Sequence, residues 1–171
     1  MRNLKRWRSP DGAWQFYTCA RPGRSKGKHQ FIEDKTVHEW IGDLPGGANM
    51  VIVSLLGRKN GPGGKSEFSF YPPFYGDWDQ ADERRGKISF QQWLDRHHKD
   101  RCIQVVEHPT YDGVRVPEAT LRAVACEVSR LLSAGRTVVL MDSGGQDRTG
   151  QVCRQMGFVE NTGLKNRSDS K

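Results

Sequence analysis

No run in the 171-residue chain approaches the roughly 20 apolar residues that a membrane-spanning helix needs. The basic N-terminus, MRNLKRWRSPDGAW, is followed by no apolar segment of the kind that marks a secretory signal, so a cytoplasmic location is expected. The four cysteines, Cys19, Cys102, Cys126 and Cys153, form no C-x-x-C pair and have no histidines at metal-ligand spacing. They are expected as reduced core thiols, with no metal and no cofactor. Internal repeats, linkers, and the zinc-finger, helix-turn-helix and RRM patterns are likewise missing.

What is present is an excess of basic charge, 27 Lys and Arg against 20 Asp and Glu, for a net charge of +7 and a pI of about 9.4. Such a balance draws nucleic acid or anionic ligands. The basic residues are scattered over RNLKRWR, RPGRSKGK at 21–28, GRK at 57–59 and the KNRSDSK tail. A phosphorylated protein or small phosphoester is therefore the partner expected, with nucleic acid the lesser reading. A mean hydropathy of −0.75 and 35% hydrophobic residues describe a polar globular chain rather than a disordered one. The length suits one domain.

Along the chain, WQFYTCA at 14–20 predicts a first strand, stopped by Arg21-Pro22-Gly23. TVHE at 36–39 has capping-box spacing and predicts a short helix through Ile41. MVIVSLL at 50–56 is short and continuously apolar, as a buried parallel strand is. Residues 57–88 read as irregular, with a GRKNGPGGK loop and six aromatics in EFSFYPPFYGDW, either a satellite core under a long loop or a substrate-facing flap. Ser89 can cap a helix bearing Phe90, Trp93, Leu94 and His97 on one face, and His97 and His98 are expected on its surface, not as ligands. A strand at 102–108 follows.

Pro117 then opens a helix whose stripe of Leu121, Val124, Ala125, Val128, Leu131 and Leu132 reads as core, closed by Gly135. Thr137 to Met141 predicts the next buried strand, and Val152, Cys153, Met156 and Val159 one more amphipathic helix. Alternation of this kind argues a single α/β domain with a mostly parallel central sheet flanked by helices. The expected division is a basic segment at 1–13, the domain at 14–160 and a polar tail at 161–171.

Chemistry concentrates in SGGQDRTG, 143–150, which leaves the end of a strand and enters a helix. Ligands of α/β sheets bind at that place, where backbone N–H groups and a helix N-terminus converge on an anion. Gly144 and Gly145 permit close backbone approach, and Arg148 offers a planar fork to two oxygens. The candidate anion-binding residues are Ser143, Gly144, Gly145, Gln146, Asp147, Arg148 and Thr149. The residue at the mouth, Asp142, is itself an anion.

The stretch resembles the signature loop of the cysteine-dependent protein tyrosine and dual-specificity phosphatases: His-Cys, five residues, Arg, Thr or Ser, Gly. On that pattern Met141 takes the His position, Asp142 the Cys, Arg148 the phosphate-gripping Arg, and Thr149-Gly150 the ending. Asp147 is similar to the Gly-Lys-Asp-Arg-Thr-Gly version of some bacterial members, with Gln146 at the Lys. HPTYDGVRVPEATL resembles the family's general-acid loop and sets Asp112 at the acid position, and MVIVSLL resembles an early family strand. The resemblance implies a phosphatase-like fold with a shortened C-terminal helical part.

It also implies catalytic positions at Asp142, Asp112 and Arg148. In the family a thiolate attacks phosphorus and the acid protonates the leaving oxygen. A carboxylate at position 142 keeps the charge and loses the nucleophile. Three readings stand open: a pseudophosphatase whose Asp142 fills its own cradle; a phosphatase using Asp142 as nucleophile; and a non-enzymatic basic α/β binding module. Arg148 either grips phosphate or pairs with Asp142 or Asp112, and Cys153 is expected in the core.

Overall fold

The computed structural model describes residues 3–24, 32–46, 49–58, 66–69, 71, 78 and 83–161. The apolar runs become the middle of a sheet: β2 (Gln15–Ala20), β3 (Met50–Ser54), β4 (Gln104–Glu107) and β5 (Thr137–Asp142). β3 lies between β4 and β5, and β5 between β3 and β2, all parallel. The connections are α1 (Asp34–Gly42), α2 (Phe90–His97) and α3 (Glu118–Ser133), with α4 (Asp147–Gln155) following β5. Strand side chains alternate between two cores, as a sheet covered on both faces requires. Met50, Ile52, Val139 and Met141 pack with α1 and α2, whereas Val51, Val53, Val138 and Leu140 pack with α3 and α4. The same alternation sends Asp142 to the face that carries α4.

The sheet is mixed, with a parallel centre as expected and an antiparallel flank that was not. β1 (Lys5–Arg8) and β6 (Val159–Asn161) add an antiparallel flank, in the order β4-β3-β5-β2-β1-β6. Segment 1–13, read as preceding the domain, thus supplies a strand. Pro10-Asp11-Gly12 is the turn signal for this hairpin, with Gly12 at φ +72° and Ser9 N–H bonded to the Trp14 carbonyl. Val159, expected on the last helix, is an exposed β6 residue, because Gly157 at φ +69° ends α4 and turns the chain.

Ser89 caps α2 as expected, in a full capping box with Gln92. The box expected at Thr36 is not used: α1 starts at Asp34, Glu33 is its cap residue and makes no side-chain cap bond. Of the aromatic cluster, Phe68, Tyr71 and Trp78 join the main core, Trp78 stacking on Phe90 at 4.8 Å. The remainder of that cluster, the loop at 59–65, Lys26 and Lys28 of the 21–28 stretch and the tail beyond residue 161 lie outside the described residues. Among the described residues no helix is long and apolar enough to cross a membrane.

Two of the four expected core thiols are not in the core. Cys19 and Cys153 are buried, but Cys102 occupies an exposed left-handed turn (φ 48°) and Cys126 the outer face of α3. The paired histidines share one neighbour. His97 and His98 both approach His38 of α1, whose Nδ1 is 2.9 Å from His98 Nε2, and the three rings lie against Trp93. Burial, helped by the charges of His38, Arg101 and His97 against Asp100, holds the His98 pKa below its ordinary value. Burial lowers His108 too, against an opposing Glu127.

Folded chains therefore bind fewer protons than unfolded ones as pH falls through about 6.5, and stability declines over that window. The melting temperature is expected to drop between about pH 7.5 and about pH 5.5, and His98→Gln to flatten that drop. An unchanged slope in calorimetry of the variant would refute the assignment.

Candidate functional site

Parallel strands end together, so their carboxyl edges form one floor. Arg21 N–H bonds to the Asp142 carbonyl, Leu55 N–H to the Met141 carbonyl and His108 N–H to the Ser54 carbonyl. From this edge the loop of Ser143 to Gln146 rises into α4, which begins at Asp147. Gly145 has φ +70°, and a Cβ there would lie 2.3 Å from the Ala20 nitrogen and 2.4 Å from the Cys19 carbonyl carbon. Only glycine lets the loop sit down on β2.

Asp142 is 1% exposed, and its carboxylate is turned into the loop. Oδ1 accepts from the Gly145 N–H, and Oδ2 accepts from the Thr149 N–H at 2.9 Å. The second bond lies in the first turn of α4, where unsatisfied N–H groups and the helix dipole favour a negative charge. The inward N–H groups of Gly145 and Thr149 are thus taken by the chain's own carboxylate. The Thr149 hydroxyl beside it is buried and has no hydrogen-bond partner among the described residues.

Arg148 is 2% exposed and its fork is fully engaged. Nη1 donates to Glu67 Oε2 at 2.7 Å, to the Leu55 carbonyl at 2.9 Å and to Thr110 Oγ1 at 3.4 Å. Nη2 donates to Glu67 Oε1 at 2.8 Å and to Asp112 Oδ1 at 3.1 Å. Burial works against this cation, but the Glu67 bonds and the charges of Glu67, Asp142 and Asp112 outweigh it and raise its pKa. Glu67 is fixed in turn, because Gly57 N–H donates to its Oε2 at 2.6 Å and its own N–H bonds to the Gly57 carbonyl.

Expected site residues are therefore brought together in a particular way. Asp142, Ser143, Gly145, Arg148 and Thr149 form a buried loop, and Asp112 reaches Arg148 from the loop after β4. The side chain of Asp112 is 61% exposed, so its ion pair is the looser of the two. Gln146 and Asp147 are exposed and, together with Arg148, line a cavity of about 700 Å³ that Gly113, Arg115 and Arg154 also line. Arg148 pairs with Asp112 as weighed, but Asp142 bonds the backbone and not Arg148. Cys153 is in the core, its thiol pushed up by burial.

Three contributors escape the sequence reading. Glu67 comes from the stretch read as irregular and Thr110 from the acid loop. Asn3 comes from the segment placed outside the domain, and its Nδ2 donates to the Gly144 carbonyl at 2.6 Å. Asn3 had one local signal, the hairpin turn that brings β1 back to the sheet; Glu67 had none. Comparison with family profiles, curated proteins and solved structures gives no match to the chain.

Proposed function

We propose that this chain is a tyrosine- or dual-specificity-phosphatase-like domain that does not hydrolyse phosphoesters, a pseudophosphatase whose anion loop is occupied by Asp142. The supporting pattern is a strand, a five-residue interval from Asp142 to Arg148, and a helix, with Asp112 delivered to Arg148 from a separate loop. One observation carries the reading: both carboxylate oxygens of Asp142 accept loop N–H groups. A nucleophile needs a lone pair aimed outward at the reacting atom. This carboxylate aims both oxygens inward and is buried. A phosphorylated protein or small phosphoester reaches the loop only by displacing those two bonds and the Glu67 pair on Arg148.

Hydrolysis of a small aryl phosphate is expected to be undetectable for the unaltered chain and measurable for Asp142→Cys. The introduced thiolate would meet the Gly145 and Thr149 N–H groups and the unpartnered Thr149 hydroxyl. Turnover by the unaltered chain that disappears in Asp142→Asn would make Asp142 the nucleophile and reverse the conclusion. A folded but inert Asp142→Cys chain would remove the phosphatase-like reading altogether.

A further inference from the structure

The Gly144–Gly145 peptide is held from both ends. A trans peptide carries its C=O and N–H on opposite sides of the C–N bond, so fixing one aims the other. Here Asn3 Nδ2 donates to the Gly144 carbonyl at 2.6 Å from outside the loop. The N–H of the same peptide, that of Gly145, points inward at Asp142 Oδ1. Only the amide nitrogen of Asn3 can face a carbonyl, so its orientation is fixed by chemistry.

This contact acts on the one freedom the loop retains. Gly145 is pressed against the β2 backbone, where a Cβ would come within 2.3 Å of Ala20, so the loop cannot translate towards the sheet. Two adjacent glycines, however, leave the plane between them free to rotate, since glycine adopts either sign of φ at little cost. A flip would put the Gly144 oxygen where the anion is and remove one N–H donor. Asn3 is well placed to prevent it. It sits at φ 55°, a left-handed conformation that asparagine tolerates, two residues before β1, and Leu4 beside it packs on the core. β1 is paired on both sides, by β2 and β6.

We infer that Asn3 is a positioning residue of the anion loop, presenting the Gly145 N–H to whatever anion lies inside, and that the N-terminal segment is accordingly part of the site. The inference rests on reading this loop as an anion cradle.

The first test uses the unaltered Asp142. Asn3→Gly removes the donor and keeps the left-handed backbone free of strain. Amide hydrogen exchange at Gly145 is expected to quicken about tenfold, the loss of roughly one hydrogen bond's worth of protection. Exchange at Thr149, whose N–H meets the same carboxylate, is expected to hold. Equal acceleration at both, or none at Gly145, would mean that Asn3 only supports the fold or does nothing to the peptide.

The second test reads the cradle through a thiol. In Asp142→Cys, ultraviolet thiolate absorbance is followed against pH as a difference from Asp142→Ser, which cancels the native cysteines. The thiol is expected to ionise below its ordinary value of about 8.5, and addition of Asn3→Gly to raise it by about one unit. A lowered value that Asn3→Gly does not move overturns the role of Asn3. An ordinary value in both chains overturns the cradle itself, and with it the proposed function.

Discussion

Arg148→Met is expected to cost about 3–5 kcal/mol of stability, as the breaking of a buried, hydrogen-bonded ion pair does. At the size of this chain that is a fall in melting temperature of roughly 6–20 °C. The loss does not come from Asp112, whose carboxylate is mostly exposed and is content in water. It comes from Glu67, 14% exposed, which would keep a full negative charge against the Gly57 N–H alone. The Leu55 carbonyl would fall back on Thr110, whose hydroxyl donates to it at 2.7 Å.

Adding Glu67→Leu to Arg148→Met is therefore expected to recover about half of the loss, since two apolar side chains leave no stranded charge. Urea unfolding of the four chains in the cycle measures this. A single variant within about 1 kcal/mol of the unaltered chain would show that the pair is not what fixes the Arg148 fork.

Gly145→Ala and Gly144→Ala should differ sharply although the residues are neighbours. At 145 a left-handed φ costs an alanine about 1–2 kcal/mol, and backbone, which cannot move aside like a side-chain end, occupies the space of its Cβ. The loop must lift from β2, and either the Asp142 bond or the Asn3 bond goes with it. A total of about 3–4 kcal/mol follows, or about 6–16 °C in melting temperature. At 144 the nearest atom to a new Cβ is Asp142 Oδ1 at 4.0 Å and φ is not left-handed, so the change is expected within about 0.5 kcal/mol. Similar melting temperatures for the two variants would contradict this placement of the loop.

What the sequence shows and hides in this molecule follows from contact range. β3 and β5 are legible because strands covered on both faces need unbroken apolar runs, and their stretches 50–53 and 138–141 are such runs. The loop at 143–150 is legible because strand, glycines, Arg148 and helix are contiguous. β1 hides because KRWR is a half-covered flank strand with polar residues at three of its four positions. The Thr36 box misleads because its spacing falls inside a helix that Glu33 and Asp34 already begin. Glu67 and Asn3 reach their partners across 81 and 141 residues, from loop-like surroundings where glutamate and asparagine are ordinary. No local pattern encodes such a meeting; it exists only once the sheet has assembled.

The inward carboxylate of Asp142 also sets the terms of any competition for its loop. A group tethered to the same chain acts at an effective concentration, on the order of millimolar even for a loose linker and far higher when the backbone holds it in place. On the proposed reading, an outside oxyanion would have to displace a rival that never diffuses away, and dilution, dialysis or a phosphate-free buffer would leave Asp142 where it is. On that reading, the free protein already holds its loop in the filled form.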